Sequence, residues 1–349
     1  MNLLMRGKIP LDFFHLPIAY MHFFSNGKSM EQEERILVVG IGTMGSQIAL
    51  QFAMHGFFVR LFNEKKSSLD RSMKEIEGRL EILVKNGYCR ETKKTVLRRI
   101  SLCTDVKEAA RNADYLSESV PDDPVLKAQV LEAFHEVCPE KTVFLSNTSH
   151  LVPSQFAEGC GRPERLLAFH FGNPVWKERQ VDVMAHAGTA PGLVARACTL
   201  ARKIDLVPLV VLKEHRGYIM NHIQREYLMV AFSLVAEGVA TYKDVDRAWM
   251  IAHGSTPPFA IMDIMSLDTS YGVAMHTAKN GDARAKVIAK YLKEHFISKG
   301  KLGCKSGEGF YTYPDPEYLR DDFVEPGLRP KRNFRDIPYS LPGEKRDSR

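Results

Sequence analysis

The stretch Ile36-Leu37-Val38-Val39-Gly40-Ile41-Gly42-Thr43-Met44-Gly45 decides the fold. Its first four residues form a short, fully apolar run, which reads as a strand buried on both faces of a parallel sheet. The three glycines then make G-x-G-x-x-G. A helical pattern follows from Ser46 to about His55 and stops at Gly56, and Val59 to Phe62 reads as a second strand. Strand, glycine turn, helix, strand opens a doubly wound α/β fold. In this context Gly40 permits the tight turn, Gly42 lets the backbone approach a pyrophosphate, and Gly45 lets helix and strand pack closely. The free N–H groups at the helix start favour the anion.

Further strands are expected at Ile100–Leu102, Tyr115–Val120, Thr142–Leu145, Leu166–Phe171, Gln180–Met184 and Val207–Val211. Helical patterns cover Leu69–Asn86, Leu126–His135 and Pro191–Lys203. After Lys213 the texture changes to helices alone, at Tyr218–Glu237, Asp244–Ala252, Pro258–Met265 and Ala283–Phe296. The expected organisation is a mainly parallel α/β Rossmann domain over 34–213, an all-α domain over 214–313, and a loosely ordered tail over 314–349. Residues 1–33 read as an extension outside the fold, with Met30 as an alternative start. The apolar part of that extension, Leu11 to Phe24, contains Asp12, His15, Pro17 and His22, too short and broken to span a bilayer. No small-residue cleavage site follows it.

The 349 residues carry a net charge of +6, without a long basic run or interleaved aromatics, which argues against nucleic acid. Six scattered cysteines make no CxxC pair and no metal-ligand spacing, so no metal is expected, and they read as reduced thiols of a cytoplasmic protein.

The second strand ends in Asn63, with Glu64 beside it and Lys65 and Lys66 following. An acid there would hydrogen-bond an adenosine ribose and repel a 2′-phosphate. Asn63 repels less, so NAD is favoured and NADP stays open. The two lysines also read simply as a solvated helix start.

Three later segments, Ser146-Asn147-Thr148-Ser149, His170-Phe171-Gly172-Asn173-Pro174 and Gly217-Tyr218-Ile219-Met220-Asn221, complete a pattern that resembles the 3-hydroxyacyl-CoA dehydrogenase family. Glu118 to Asp122 with Lys127, and Gly300 to Tyr311, fit the same pattern, which spans about Arg35 to Tyr313. The resemblance implies a dinucleotide-binding domain followed by a helical domain that dimerises. It implies NAD-dependent exchange of hydride between the cofactor and the 3-position of a short-chain acyl-CoA.

By that resemblance His170 is the base, Asp182 the carboxylate that fixes it, Ser149 a hydrogen-bond partner of the reacting oxygen, and Asn221 with Asn173 the holders of the substrate carbonyl. Asp122 and Lys127 fall near the nicotinamide half of the cofactor. Candidates for the phosphates of CoA lie on the charged helix after the second strand, Ser72 between Arg71 and Lys74. Each residue also has a plain structural reading: Asn147 and Ser149 as helix caps, Asn221 as a helix–helix hydrogen bond, Asp182 as a surface strand residue.

The pattern departs from the family at Gly172 in place of an aromatic, at Arg216 in place of Pro, at His222 in place of Arg, at Asp182 in place of Glu, and at His150 in place of a small residue. Gly172 should enlarge its surroundings, and the shorter Asp182 must sit closer to His170 or be bridged by water. These changes gather at the substrate end. A branch similar to lambda-crystallin and L-gulonate 3-dehydrogenase, and carnitine dehydrogenase, act without CoA, so a CoA-free hydroxy acid stays open, as does a non-catalytic dinucleotide-binding protein. A lysine base of the 2-methyl-3-hydroxy-acid type is absent from Arg216 to His222.

Overall fold

The structure, a computed structural model, describes residues 34–279, 281–320 and 322–324. The expected extension over 1–33 and most of the expected tail lie outside the described residues. The first part alternates strands and helices: β1 (Arg35–Val39), α1 (Thr43–Met54), β2 (Phe58–Phe62), α2 (Lys66–Lys85), α3 (Lys93–Leu97), β3 (Ile100–Cys103), α4 (Val106–Ala110), β4 (Tyr115–Glu118), α5 (Pro124–His135), β5 (Val143–Ser146), β6 (Leu166–Phe171), α6 (Val175–Glu178), β7 (Gln180–Met184), α7 (Leu193–Lys203) and β8 (Val207–Val211). The eight strands form one sheet in the order β3-β2-β1-β4-β5-β6-β7-β8. Neighbours run parallel except β6 and β7, which are antiparallel.

Side chains alternate across a strand, and β1 shows what that does. Ile36 and Val38 point to one face, into a core with Ile48, Phe52, Phe169 and Phe171. Leu37 and Val39 point to the other, packing with Leu116, Leu131, Phe144 and Leu166. Both faces are covered, which suits a run that is apolar throughout. Each such side chain contributes about 1.5–3 kcal/mol by leaving water.

Five helices follow: α8 (Met220–Ala236), α9 (Tyr242–His253), α10 (Pro258–Met265), α11 (Leu267–Lys279) and α12 (Ala283–His295). Their core is aromatic, with Phe259 against Phe310 at 4.6 Å and Phe232 against Phe259 at 5.7 Å between ring centres. Two fully buried carboxyls sit in it. Asp246 accepts from the Phe259 N–H at 3.0 Å and the Tyr311 hydroxyl at 2.7 Å. Asp263 accepts from the backbone N–H of Phe310 at 3.0 Å and Tyr311 at 2.9 Å, and from the Tyr313 hydroxyl at 3.1 Å. This explains two glycines of the segment Gly300–Tyr311. A side chain at Gly303 would strike the Asp263 backbone, and one at Gly309 its carboxylate.

The tail departs from expectation at its start. Tyr318, Phe323 and Val324 are buried in the helical core, and Arg247 donates to the Phe323 carbonyl at 2.8 Å. These residues are packed, so looseness does not begin at Pro314. The helix α11 was not expected, because Thr269, Gly272, Val273 and Thr277 weaken its propensity; packing against α12 holds it. The long helix begins at Met220, not Tyr218, because Tyr218 takes a left-handed φ of 51°.

Candidate active site

The glycine turn follows β1 directly. Gly40 has a φ of 88°, and a Cβ there would strike the backbone of Ser119 and Val120 at the end of β4. A Cβ at Gly45, inside α1, would collide with the Gly40 carbonyl. Gly42 differs: a Cβ there would meet nothing within 4 Å. Two glycines are therefore required by packing, and the third leaves open space before the first turn of α1. That turn has no side-chain cap on its free N–H groups. Unblocked donors facing open space fit a dinucleotide pyrophosphate.

At the end of β2, the Asn63 side-chain oxygen accepts from the Lys65 N–H at 2.9 Å, which leaves its amide NH₂ as the outward donor. Lys66 pairs with Asp70 one turn along, at 2.8 Å. One of the two lysines that could meet a 2′-phosphate is thus engaged.

The antiparallel pairing of β6 and β7 sets the next feature. His170 and Asp182 are direct cross-strand partners in this ladder. Their side chains meet without a bridge, His170 Nδ1 to Asp182 Oδ2 at 3.0 Å. The shorter acid reaches because the register brings the strands together at that position. His170 is 8% exposed and Asp182 3%. The second carboxylate oxygen, Oδ1, is buried without a hydrogen-bond partner among the described residues. On its face, His170 is stacked by Tyr218, with 4.6 Å between ring centres and 15° between planes. Nε2 is the ring atom left for chemistry. Below it, Asn147 accepts from the Phe171 N–H at 2.9 Å and ties β5 to β6.

A second network lies at the ends of β4 and β5. Asp122 Oδ2 accepts from the backbone N–H of Ser149 and of His150, each at 3.0 Å, and lies 3.1 Å from His150 Nδ1. Burial works against the Asp122 charge. The His150 ring, the Thr148 hydroxyl and Lys127 outweigh it and hold the carboxyl well below its usual range. The bond to Asp122 in turn raises His150 against the opposing effect of burial.

Lys127 is fully buried. Its ammonium donates to both Glu118 oxygens at 2.8 and 3.1 Å and to the Val120 carbonyl at 3.0 Å, and it lies 3.2 Å from Asp122. Glu118 also accepts from the Ser146 hydroxyl at 2.5 Å, while burial raises its carboxyl. Lys127 therefore fixes the loop between β4 and α5. Its donors are taken by protein groups.

Other expected residues divide. Asn173 accepts from Gln47 Nε2 at 3.1 Å, and Gln47 Oε1 accepts from the Val175 N–H at 3.1 Å, so this segment is bound to α1. Asn221 lies exposed in the first turn of α8, three residues after Tyr218. Ser72 does not join the site as an exposed contact: it is buried on α2 with its hydroxyl unpartnered among the described residues. Gly172 does not enlarge its surroundings, since a Cβ there would lie 2.5 Å from Glu178 Cβ. The Glu178 side chain already stands against Gly172. Sequence reading gave no role to Tyr218 or Gln47. An aromatic directly after Gly217 was the available signal for the first; the second had none.

The pattern of the 3-hydroxyacyl-CoA dehydrogenase NAD binding domain matches residues 35–215, and that of the 3-hydroxyacyl-CoA dehydrogenase C-terminal domain matches residues 217–313. A probable 3-hydroxybutyryl-CoA dehydrogenase of Bacillus subtilis is 29% identical over 81% of this chain and 98% of its own. Among solved structures, a diketoreductase that acts on dicarbonyl compounds is 35% identical, covering 80% of this chain and 99% of its own, with a TM-score of 0.74. The (S)-3-hydroxybutyryl-CoA dehydrogenase of Ralstonia eutropha is 25% identical, covering 81% and 100%, with a TM-score of 0.73.

Proposed function

The chain belongs to the 3-hydroxyacyl-CoA dehydrogenase family, and on that premise we propose that it interconverts a short-chain 3-hydroxyacyl-CoA and its 3-ketoacyl-CoA with His170 as proton carrier. The observation that carries this reading is the His170–Asp182 pair at 3.0 Å under the Tyr218 ring. Asp182 accepts the Nδ1 proton, which leaves the Nε2 lone pair to take the proton of the substrate hydroxyl. The imidazolium that forms stays beside the Asp182 carboxylate, which offsets its charge. Ser149, whose N–H is anchored on Asp122, offers its hydroxyl to the reacting oxygen. Asn221 and Asn173 hold the carbonyl end.

The glycine turn, Asn63 and the loop after β4 hold NAD, with Asp122 at the nicotinamide half and Lys127 setting that loop from beneath. When bound, NAD supplies the acceptor for the hydride from the substrate carbon. In reverse, the His170 imidazolium returns a proton to the new alkoxide oxygen. The pairing of Lys66 with Asp70 favours NAD over NADP.

A second reading, a CoA-free 3-keto compound as substrate, is favoured by two observations. The diketoreductase is 35% identical, above the two 3-hydroxybutyryl-CoA dehydrogenases described here. Ser72, the expected contact for CoA, is buried. The deciding assay follows NADH absorbance with acetoacetyl-CoA, free acetoacetate and a 3,5-diketo ester in parallel. Turnover of the thioester at least tenfold above the others is expected. Faster turnover of the diketo ester would replace the first reading by the second, and no turnover of any would sink both.

We further propose a homodimer through the helical part. On α8, Ile223 and Val230 are each 50% exposed, and Leu234 continues the same face at helical spacing. Light scattering at micromolar concentration should give twice the chain mass; a monomer would exclude it. We place the chain in a reducing compartment, the cytoplasm, on its six scattered cysteines without CxxC spacing. No helix among the described residues is long and apolar enough to cross a membrane.

A further inference from the structure

The helix α4 has only five residues and packs on β2 and β3. A helix that short covers one part of the strands it crosses. Toward the starts of β1 and β2 the sheet opens into a small cavity of about 80 Å³, and five of its twelve lining residues are arginines: Arg35, Arg60, Arg98, Arg99 and Arg111. Five arginines line one cavity, and like charges so close need neutralising partners.

Arg99 is paired with Glu91 at 2.9 Å. Arg60 donates through Nη1 alone to the carbonyl oxygens of Glu108, Ala109 and Arg111 at the end of α4, which does not cancel its charge. Arg35 stands over the Phe58 ring at 5.8 Å. Arg35, Arg98 and Arg111 make no ion pair with any described residue. Asp114, the acid bonded to the Arg35 backbone N–H at 2.9 Å, is itself paired with Lys141. The cavity therefore holds an excess of positive charge.

This place is separate from the glycine turn. Arg35 begins β1 and Gly40 follows its end. Five residues at about 3.3 Å each put the two roughly 16 Å apart, at opposite ends of the strand.

We infer that this arginine cavity is a second binding site, for a compact, multiply charged phosphate anion. Guanidinium groups suit that chemistry because they donate in pairs to phosphate oxygens and remain charged at every working pH. The inference does not rest on the dehydrogenase reading.

The test uses the full chain saturated with NADH, so that the dinucleotide site is filled. Tripolyphosphate and ATP are titrated separately by calorimetry at low salt. The expected result is one equivalent bound, with affinity falling as salt rises. Arg98→Gln/Arg111→Gln, two exposed positions, should weaken it at least tenfold and leave the NADH affinity and turnover unchanged. Equal binding of the two probes would mean that the phosphate chain alone is recognised; tighter ATP would add a nucleoside contact. No binding in the NADH-saturated protein, or unchanged affinity in the double variant, would overturn the inference.

Discussion

The variant His170→Gln should lose about 10²- to 10⁴-fold in kcat, the range that a positioned general acid–base supplies. Glutamine keeps a planar polar group under Tyr218 but cannot take a proton. NADH binding, followed by fluorescence titration, should stay within about twofold, because the glycine turn and Asn63 are on other strands. A kcat that survives the change would remove His170 from its role and with it the proposed chemistry. Asp182→Asn should act in the same direction, since an amide can hold Nδ1 in the wrong tautomer.

The second large effect concerns stability. Asp263→Ala should destabilise the folded chain by about 3–5 kcal/mol, because two backbone N–H groups and the Tyr313 hydroxyl are left buried and unpaired. For a chain of this size that lowers Tm by roughly 10 °C. Loss of the expected thermal shift would mean that the segment carrying Gly303 and Gly309 is not held by Asp263.

The same acids add a pH dependence. Burial raises Asp246 to about 7 and Asp263 to about 6, against the hydrogen bonds that favour their charge. In the unfolded chain both lose their protons near pH 4. Between that point and about pH 7 the folded state holds more protons than the unfolded one. Stability from these groups is therefore greatest at acid pH and is lost as pH rises through 6 to 7. Melting measured from pH 5.5 to 8 should show this as a falling contribution of a few kcal/mol. Asp246→Asn should flatten the slope, because an amide still accepts from Phe259 and does not titrate.

The reading of the sequence reached the doubly wound sheet because its signals were local. An apolar run and three glycines at fixed spacing can serve few other folds, and two of those glycines are enforced by backbone collisions. The pair His170 and Asp182 was legible only through resemblance. Nothing within either strand announces that β6 and β7 run antiparallel, and the direct bond depends on that register. The partners of Lys127 were hidden for a related reason. A lysine in sequence is a free cation, and only packing reveals that Glu118 and Asp122 take its donors. The surroundings of Gly172 were misjudged because a side chain from another position, Glu178, stands against it. The short helices α3, α4 and α6 escaped because four or five residues carry no reliable period.

The cross-strand position of the base has a consequence for how this scaffold can change. The proton-carrying pair belongs to the strand ladder, where a shift of one residue would turn every side chain to the other face. The departures at Gly172, Arg216 and His222 belong to the connections after β6 and before and within the first turn of α8. Chemistry is thus written in the part of the molecule that tolerates least alteration, and substrate choice in the part that tolerates most. New substrates can be acquired by rewriting those connections while the proton machinery is inherited intact.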